Sequence, residues 1–265
     1  YQIYKFIHEF KKGDIVIIPN KNSKILVFGE ILEDDIYIHD QANVSPIEYM
    51  FMSDEEVESL VPILRKRRKI KWLKSIDRDA LDPYLQTFIY AHNTIVDLNP
   101  YSDYIDRTLT TFYIKGDDAY FTYRVNKASN ILFDDLANLF IFNKEIIRFI
   151  NKYCEDFLIN YGDLICKINV QSKGPVQLKG TIKKMLVFGL ISMTICGGSV
   201  KLNIKDGIEI SNGGLVAVVN TAMTALDIIW SYQDNTDYTE LLEKYKECQE
   251  ELDLITPEVR HSLNN

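Results

Sequence analysis

Phe10-Lys11-Lys12-Gly13-Asp14-Ile15-Val16-Ile17-Ile18-Pro19 decides how the first third of the chain is read. Lys12-Gly13-Asp14 reads as a turn, and the four β-branched residues that follow suit a strand. Pro19 has no N–H to give a ladder, so the strand stops there. The polar loop Asn20-Lys21-Asn22-Ser23 leads into a second run, Lys24 to Ile31, in which Gly29 reads as a bulge or a close backbone approach. Asp35-Ile36-Tyr37-Ile38-His39 is a third, alternating run. Short β runs between turn residues predict a small, strongly bent sheet or barrel.

Further along, Ser53 to Val57 reads as a capped helix start, and Asp82-Pro83 as another. Thr110 to Val125 is a hairpin around Lys115-Gly116-Asp117-Asp118. Asn130 to Phe157 carries apolar residues at helical spacing. The texture changes between Leu158 and Lys173, which divides the chain into residues 1–160 and 161–265. The second part reads as an apolar helix from Val187 to Cys196, a hairpin over Ser199–Ile210, a second apolar helix from Leu215 to Trp230, and an acidic helical segment. The expected fold is α+β: an N-terminal small β-barrel with an added hairpin and helix, then a helix-hairpin-helix module with an acidic tail.

The 265 residues are 46% hydrophobic and 26% charged, which is ordinary for a globular protein and too apolar for disorder. Net charge is −8, so bulk charge draws no polyanion. The charge is unevenly placed. Val61 to Arg78 carries a net +7, whereas Ser231 to Asn265 carries −6. Clustered Arg and Lys suit a phosphate backbone, because they release condensed counterions and Arg forks onto phosphate oxygens. An aromatic beside them, Trp72 or Tyr37, suits stacking on a base. The competing reading is a solvated basic face that pairs with the acidic tail, with Trp72 serving as core.

Four cysteines without a CxxC pair read as free thiols of a reducing, cytoplasmic compartment. The four histidines lack metal spacing, no cofactor is implied, and no GxSxG, Walker or GxGxxG motif occurs. Glu9-Phe10-Lys11 has the Glu-x-Lys form of a nuclease without an upstream Asp, and His92 stands alone after an aromatic stretch. The chain opens Tyr1-Gln2-Ile3-Tyr4, which reads as a fragment or processed form with room for a domain upstream; no signal peptide is visible. Met185 to Val200 is 16 residues, short of the ~20 a spanning helix needs. Asn220 and Asp227 are costly in hydrocarbon. Apolar surface on the two helices predicts a homo-oligomer.

The ordered set of Gly13-Asp14 with its hydrophobic run and Pro19, then Gly29-Glu30-Ile31, then Arg67-Arg68-Lys69-Ile70-Lys71-Trp72, resembles the PUA/EVE-like small β-barrel domains attached to Mrr-type modification-dependent restriction enzymes and related bacterial antiviral proteins. The likeness covers roughly residues 6 to 75. The Tyr-x-Tyr strand typical before the basic motif is here only Ile36-Tyr37-Ile38, with an acidic insertion up to Leu60. The resemblance implies a pocket for nucleic acid or a nucleotide, in a sensing module of anti-phage defence that assembles through its C-terminal half or with an effector protein. The candidate binding residues are Lys12, Asn22, Arg65, Arg67, Arg68, Lys69, Lys71 and Trp72. Two other classes stay open: the specificity domain of a nuclease whose catalytic domain lies outside this chain, and a membrane-disrupting effector.

Overall fold

The computed structural model describes residues 1–38, 66–91, 93–154, 157–168, 173–197, 224, 227, 231–232 and 235–257. The Ser53–Val57 helix, Arg65, His92, the Ser199–Ile210 hairpin and nearly all of the Leu215–Trp230 helix lie outside them. The chain resolves into two compact units, Tyr1–Pro100 and a second that begins at Tyr101.

The first unit opens on a helix not anticipated from sequence, α1 (Gln2–Tyr4), which widens into a π-helical turn over Lys5–Glu9. Gly13 then turns the chain at φ +90°, the left-handed region that favours glycine, into β1 (Ile15–Pro19). The turn is tied across the sheet, since the Gly13 amide donates to the Ile31 carbonyl at 2.8 Å. β2 (Ile25–Ile31) pairs with β1 on one side and β5 (Ile70–Asp77) on the other, both antiparallel. The β2–β5 register shifts at Phe28/Gly29. A Cβ on Gly29 would lie 2.3 Å from Ile70 Cγ2 and 3.0 Å from Trp72 Cε3, so the expected close approach is there. β3 (Tyr37–Ile38) and β4 (Lys66–Arg67) form a separate ribbon. Leu26, Phe28, Ile31, Leu73, Leu81 and Leu85 are the buried apolar residues. Asp82 caps the helix at Pro83–Tyr90 as expected, in the tighter 3₁₀ form.

The second unit begins with α2 (Ser102–Leu109) and the hairpin of β6 (Phe112–Lys115) and β7 (Asp118–Val125), turned by Gly116 at φ +58°. α3 (Phe133–Tyr153) follows, then β8 (Ile165–Ile168), β9 (Gly174–Thr181), α4 (Ile182–Ile195), α5 (Thr236–Leu252) and β10 (Leu254–Ile255). The sheet runs β10-β7-β9-β8, with β6 also on β7. Ala119, Phe121, Tyr123 and Val125 alternate onto one face of β7 and are buried with Val176 and Leu178 in one core with α3, α4 and α5. On the other face Tyr113 stacks on Tyr120, ring centroids 4.7 Å apart, and Gln177 donates to the hydroxyls of Tyr113 and Thr122, both at 3.1 Å.

Three features of the expected architecture are corrected. The described strands form sheets of three, five and two strands, and none closes into a barrel. β1 and β5 both pair with β2 alone, and three strands are too few to curl until their edges meet. The Thr110–Val125 hairpin and the helix after it are no elaboration of an N-terminal barrel, since they build the second unit's own sheet and core. The first helix of the expected helix-hairpin-helix module, α4, does not stand apart but lies in that same core, with Leu186, Val187, Leu190 and Ile191 buried. The acidic segment is helical as expected, but it is part of that core rather than a tail beyond it. Tyr238, Leu241, Tyr245, Cys248 and Leu252 form a buried stripe on α5, Asp253 ends the helix at φ +50°, and β10 then pairs with the end of β7.

Gly189 shows how closely α4 sits, because a Cβ there would lie 2.6 Å from the Phe112 ring. Gly189→Ala should destabilise the protein by about 1–3 kcal/mol in denaturant titration, the usual cost of over-packing. Combining it with Phe112→Leu should cost less than the sum of the two changes, because the smaller side chain frees the volume the new methyl needs.

Candidate functional site

The basic run divides between structural and surface duties. Arg68 is a lock. Its guanidinium donates from Nε to the Phe6 carbonyl and from Nη2 to that of Ile7, both at 2.9 Å, and from Nη1 to those of Asp34 at 2.9 Å and Glu33 at 3.3 Å. It also lies over the Phe6 and Phe10 rings, 5.7 and 5.8 Å from their centroids. A helix end leaves carbonyls without partners, and a planar cation with five donors answers several at once. Lys69 is paired as well: its Nζ meets Glu33 Oε1 at 2.9 Å and lies 4.8 Å from the Tyr37 ring centroid. The Tyr37 hydroxyl donates to the second Glu33 oxygen at 2.8 Å. The Lys69 hydrogen bond, then that of Tyr37, holds the Glu33 carboxyl below its ordinary 4.5, and Tyr37 followed by Glu33 holds the Lys69 ammonium above its usual range.

The remaining candidates are placed as follows. Lys66 and Arg67 are exposed on β4, opposite Ile38 and Tyr37. Lys71 faces Glu30 across β2–β5 and is half-buried. Trp72 is half-buried over Gly29, so the sheet uses its ring as packing, while Tyr37 keeps 40% of its surface exposed. The Lys12 amide donates to Asp34 Oδ1 at 2.7 Å, which brings its loop to the segment Arg68 holds. Asn22, in the left-handed region at φ +71°, sits at the opposite end of the β1–β2 hairpin, a strand length of roughly 20 Å away. Lys12, Arg67, Arg68, Lys69 and Tyr37 are thus gathered around Glu33-Asp34, and Asn22 is not. Glu33 and the Phe6/Phe10 pair were not singled out from sequence. The i, i+4 spacing of the two phenylalanines was the available sign.

Among the described residues no group of three or more His, Cys, Asp or Glu is placed to hold a metal ion. In the second unit, a groove of about 220 Å³ between α3 and α5 is floored by Phe149 and Leu241. Its charges answer one another, through Arg148–Glu145, Lys152–Asp237 and Lys244–Glu145. No helix among the described residues is long and apolar enough to cross a membrane. No family model, no curated protein and no solved structure matches the chain.

Replacing Arg68 with Ala should cost the first unit about 2–4 kcal/mol, read from Trp fluorescence during denaturant unfolding, since it orphans several partly buried carbonyls. Arg68→Lys should recover less than half, because an ammonium cannot span four acceptors. The Glu33 pKa is depressed in the folded protein, so its contribution is present above the ordinary 4.5 and lost as pH falls through the folded value. The Tyr37 ring signals in an NMR titration should therefore move with a midpoint below 4.5. Movement centred at 4.5 or above would mean that Glu33 holds neither partner.

Proposed function

We propose that the first unit is a nucleic-acid or nucleotide-sensing module whose contact surface is the β3–β4 ribbon together with Lys12 and Lys71. The observation that carries the reading is Tyr37: a ring 40% exposed, directly opposite the exposed Arg67, with its hydroxyl fixed by Glu33 and Lys69 against its face. A ring held in place offers a stacking platform at little entropic cost, and a guanidinium beside it suits the phosphate of the stacked nucleotide. Arg68 and Lys69 support this surface from behind, one holding the Glu33-Asp34 segment and the other holding the ring. The anti-phage setting enters only through the PUA/EVE-like resemblance. A reducing cytoplasm suits the four unpaired thiols, Cys154, Cys166, Cys196 and Cys248.

The test is fluorescence anisotropy with a labelled single-stranded oligonucleotide, with free nucleotides as competitors. Tyr37→Ala should weaken binding roughly tenfold or more, the size of one lost base stack. Tyr37→Phe, which keeps the ring, should weaken it less. Arg67→Glu should weaken binding and flatten the salt dependence by about one phosphate contact. Affinity indifferent to salt and to all three variants removes nucleic acid from the account. Full displacement by a mononucleotide assigns the site to the small ligand.

A further inference from the structure

Among the described residues β8 is an edge of the five-stranded sheet: its partner is β9, whereas β6 and β10 share the opposite side of β7. All four of its residues are exposed, Ile165 by 56% and Ile168 by 51%. Across the sheet two apolar rows run toward this edge, Phe121–Leu178–Cys166 and Tyr123–Val176–Ile168. In each row the inner two members are buried under the helices and the outermost is bare. A core layer that runs out to an unpaired strand calls for more of the same layer.

We propose that β8 is a self-association edge, and that its occupant is the β8 strand of a second copy, paired antiparallel about a two-fold axis at Cys166. The symmetry leaves few choices. Two identical strands side by side and antiparallel are related by an axis normal to the sheet, which keeps the two faces continuous and centres the register on a residue. Centring on Lys167 sets two ammoniums face to face, which is unfavourable. Centring on Cys166 sets Lys167 against Ile165 of the other copy and Ile168 against its Leu164, a residue that already packs on the core. The row then reads Phe121–Leu178–Cys166 and on through the same three residues of the second copy, an unbroken apolar layer across six strands. Four residues a side make a small contact, so the dimer is weak and concentration-dependent.

This register is testable by two independent readouts on the full chain. Residues directly opposite in an antiparallel pair have Cα atoms about 4.5 or 5.5 Å apart, inside the range a disulfide spans. Copper-phenanthroline, which takes up the two electrons as the thiols lose their protons, should join the two Cys166 side chains into a covalent dimer. Cys166→Ala should abolish that dimer, because Cys154, Cys196 and Cys248 are buried. The second readout is charge at the exposed Ile165. Ile165→Lys opposes the partner's Lys167 twice and should raise the dimer dissociation constant in sedimentation by roughly three- to thirtyfold; Ile165→Glu should lower it by a similar factor. A chain that stays monomeric at submillimolar concentration overturns the proposal. So does a covalent dimer that survives Cys166→Ala, or equal effects of Lys and Glu at position 165.

Discussion

Alternation along β7 is the constraint on which the second unit depends. Ala119, Phe121, Tyr123 and Val125 point to one side, while Asp118, Tyr120, Thr122 and Arg124 point to the other. The first set is buried with α3, α4 and α5, each large member worth about 1.5–3 kcal/mol of transfer free energy. The second set is polar and is satisfied locally: Lys179 pairs with Asp118, Gln177 bonds to Thr122, and Arg124 donates to the carbonyls of Arg107 and Thr108 in α2. β9 pairs with the whole of β7, and β6 and β10 take successive stretches of its other side. A slip of one residue would set Phe121 and Tyr123 among those polar partners, so the register has no near competitor.

In the first unit a single cation has that organising part. Arg68 stands in the middle of the basic run, yet its donors are turned to the backbone of Phe6, Ile7, Glu33 and Asp34. Charge in a basic run therefore does not measure capacity to bind an anion. The Arg68 guanidinium organises the surface on which its neighbours act.

Local signals were legible. Gly13 and Gly116 announced turns, and both lie at positive φ. Gly29 announced a close approach, and the spacing of Leu136, Leu139 and Ile146 announced α3. What the sequence hid were partners distant along the chain. The expected barrel required β1 and β5 to find each other, and no pattern within either strand records that they do not. The acidic segment misled through averaging. Counting its charges gives a solvated tail, whereas the same residues read by position show Tyr238, Leu241, Tyr245, Cys248 and Leu252 on one stripe of a helix. At the candidate site the basic residues were legible by type. Their division into a lock, a clamp and an exposed pair was not, because it depends on the carbonyls of Phe6 and Ile7 and on Glu33, more than thirty residues away.

The junction of β10 with β7 bears on how the protein is made. Asn126 bonds to Asp253, 127 positions later, and Leu254 lies against Val125. While the chain emerges from the ribosome, β6 and β7 have each other within moments and β9 follows, but the β7 edge at Arg124-Val125 waits for its partner until Leu254-Ile255 has been translated. Through that interval α4 is present without the α5 stripe that shares its core. The described strand pairs of the first unit all lie before Arg78 and have no such wait. Synthesis thus leaves the sheet and core of the second unit incomplete for longest, exposed to chaperones and to aggregation on the way.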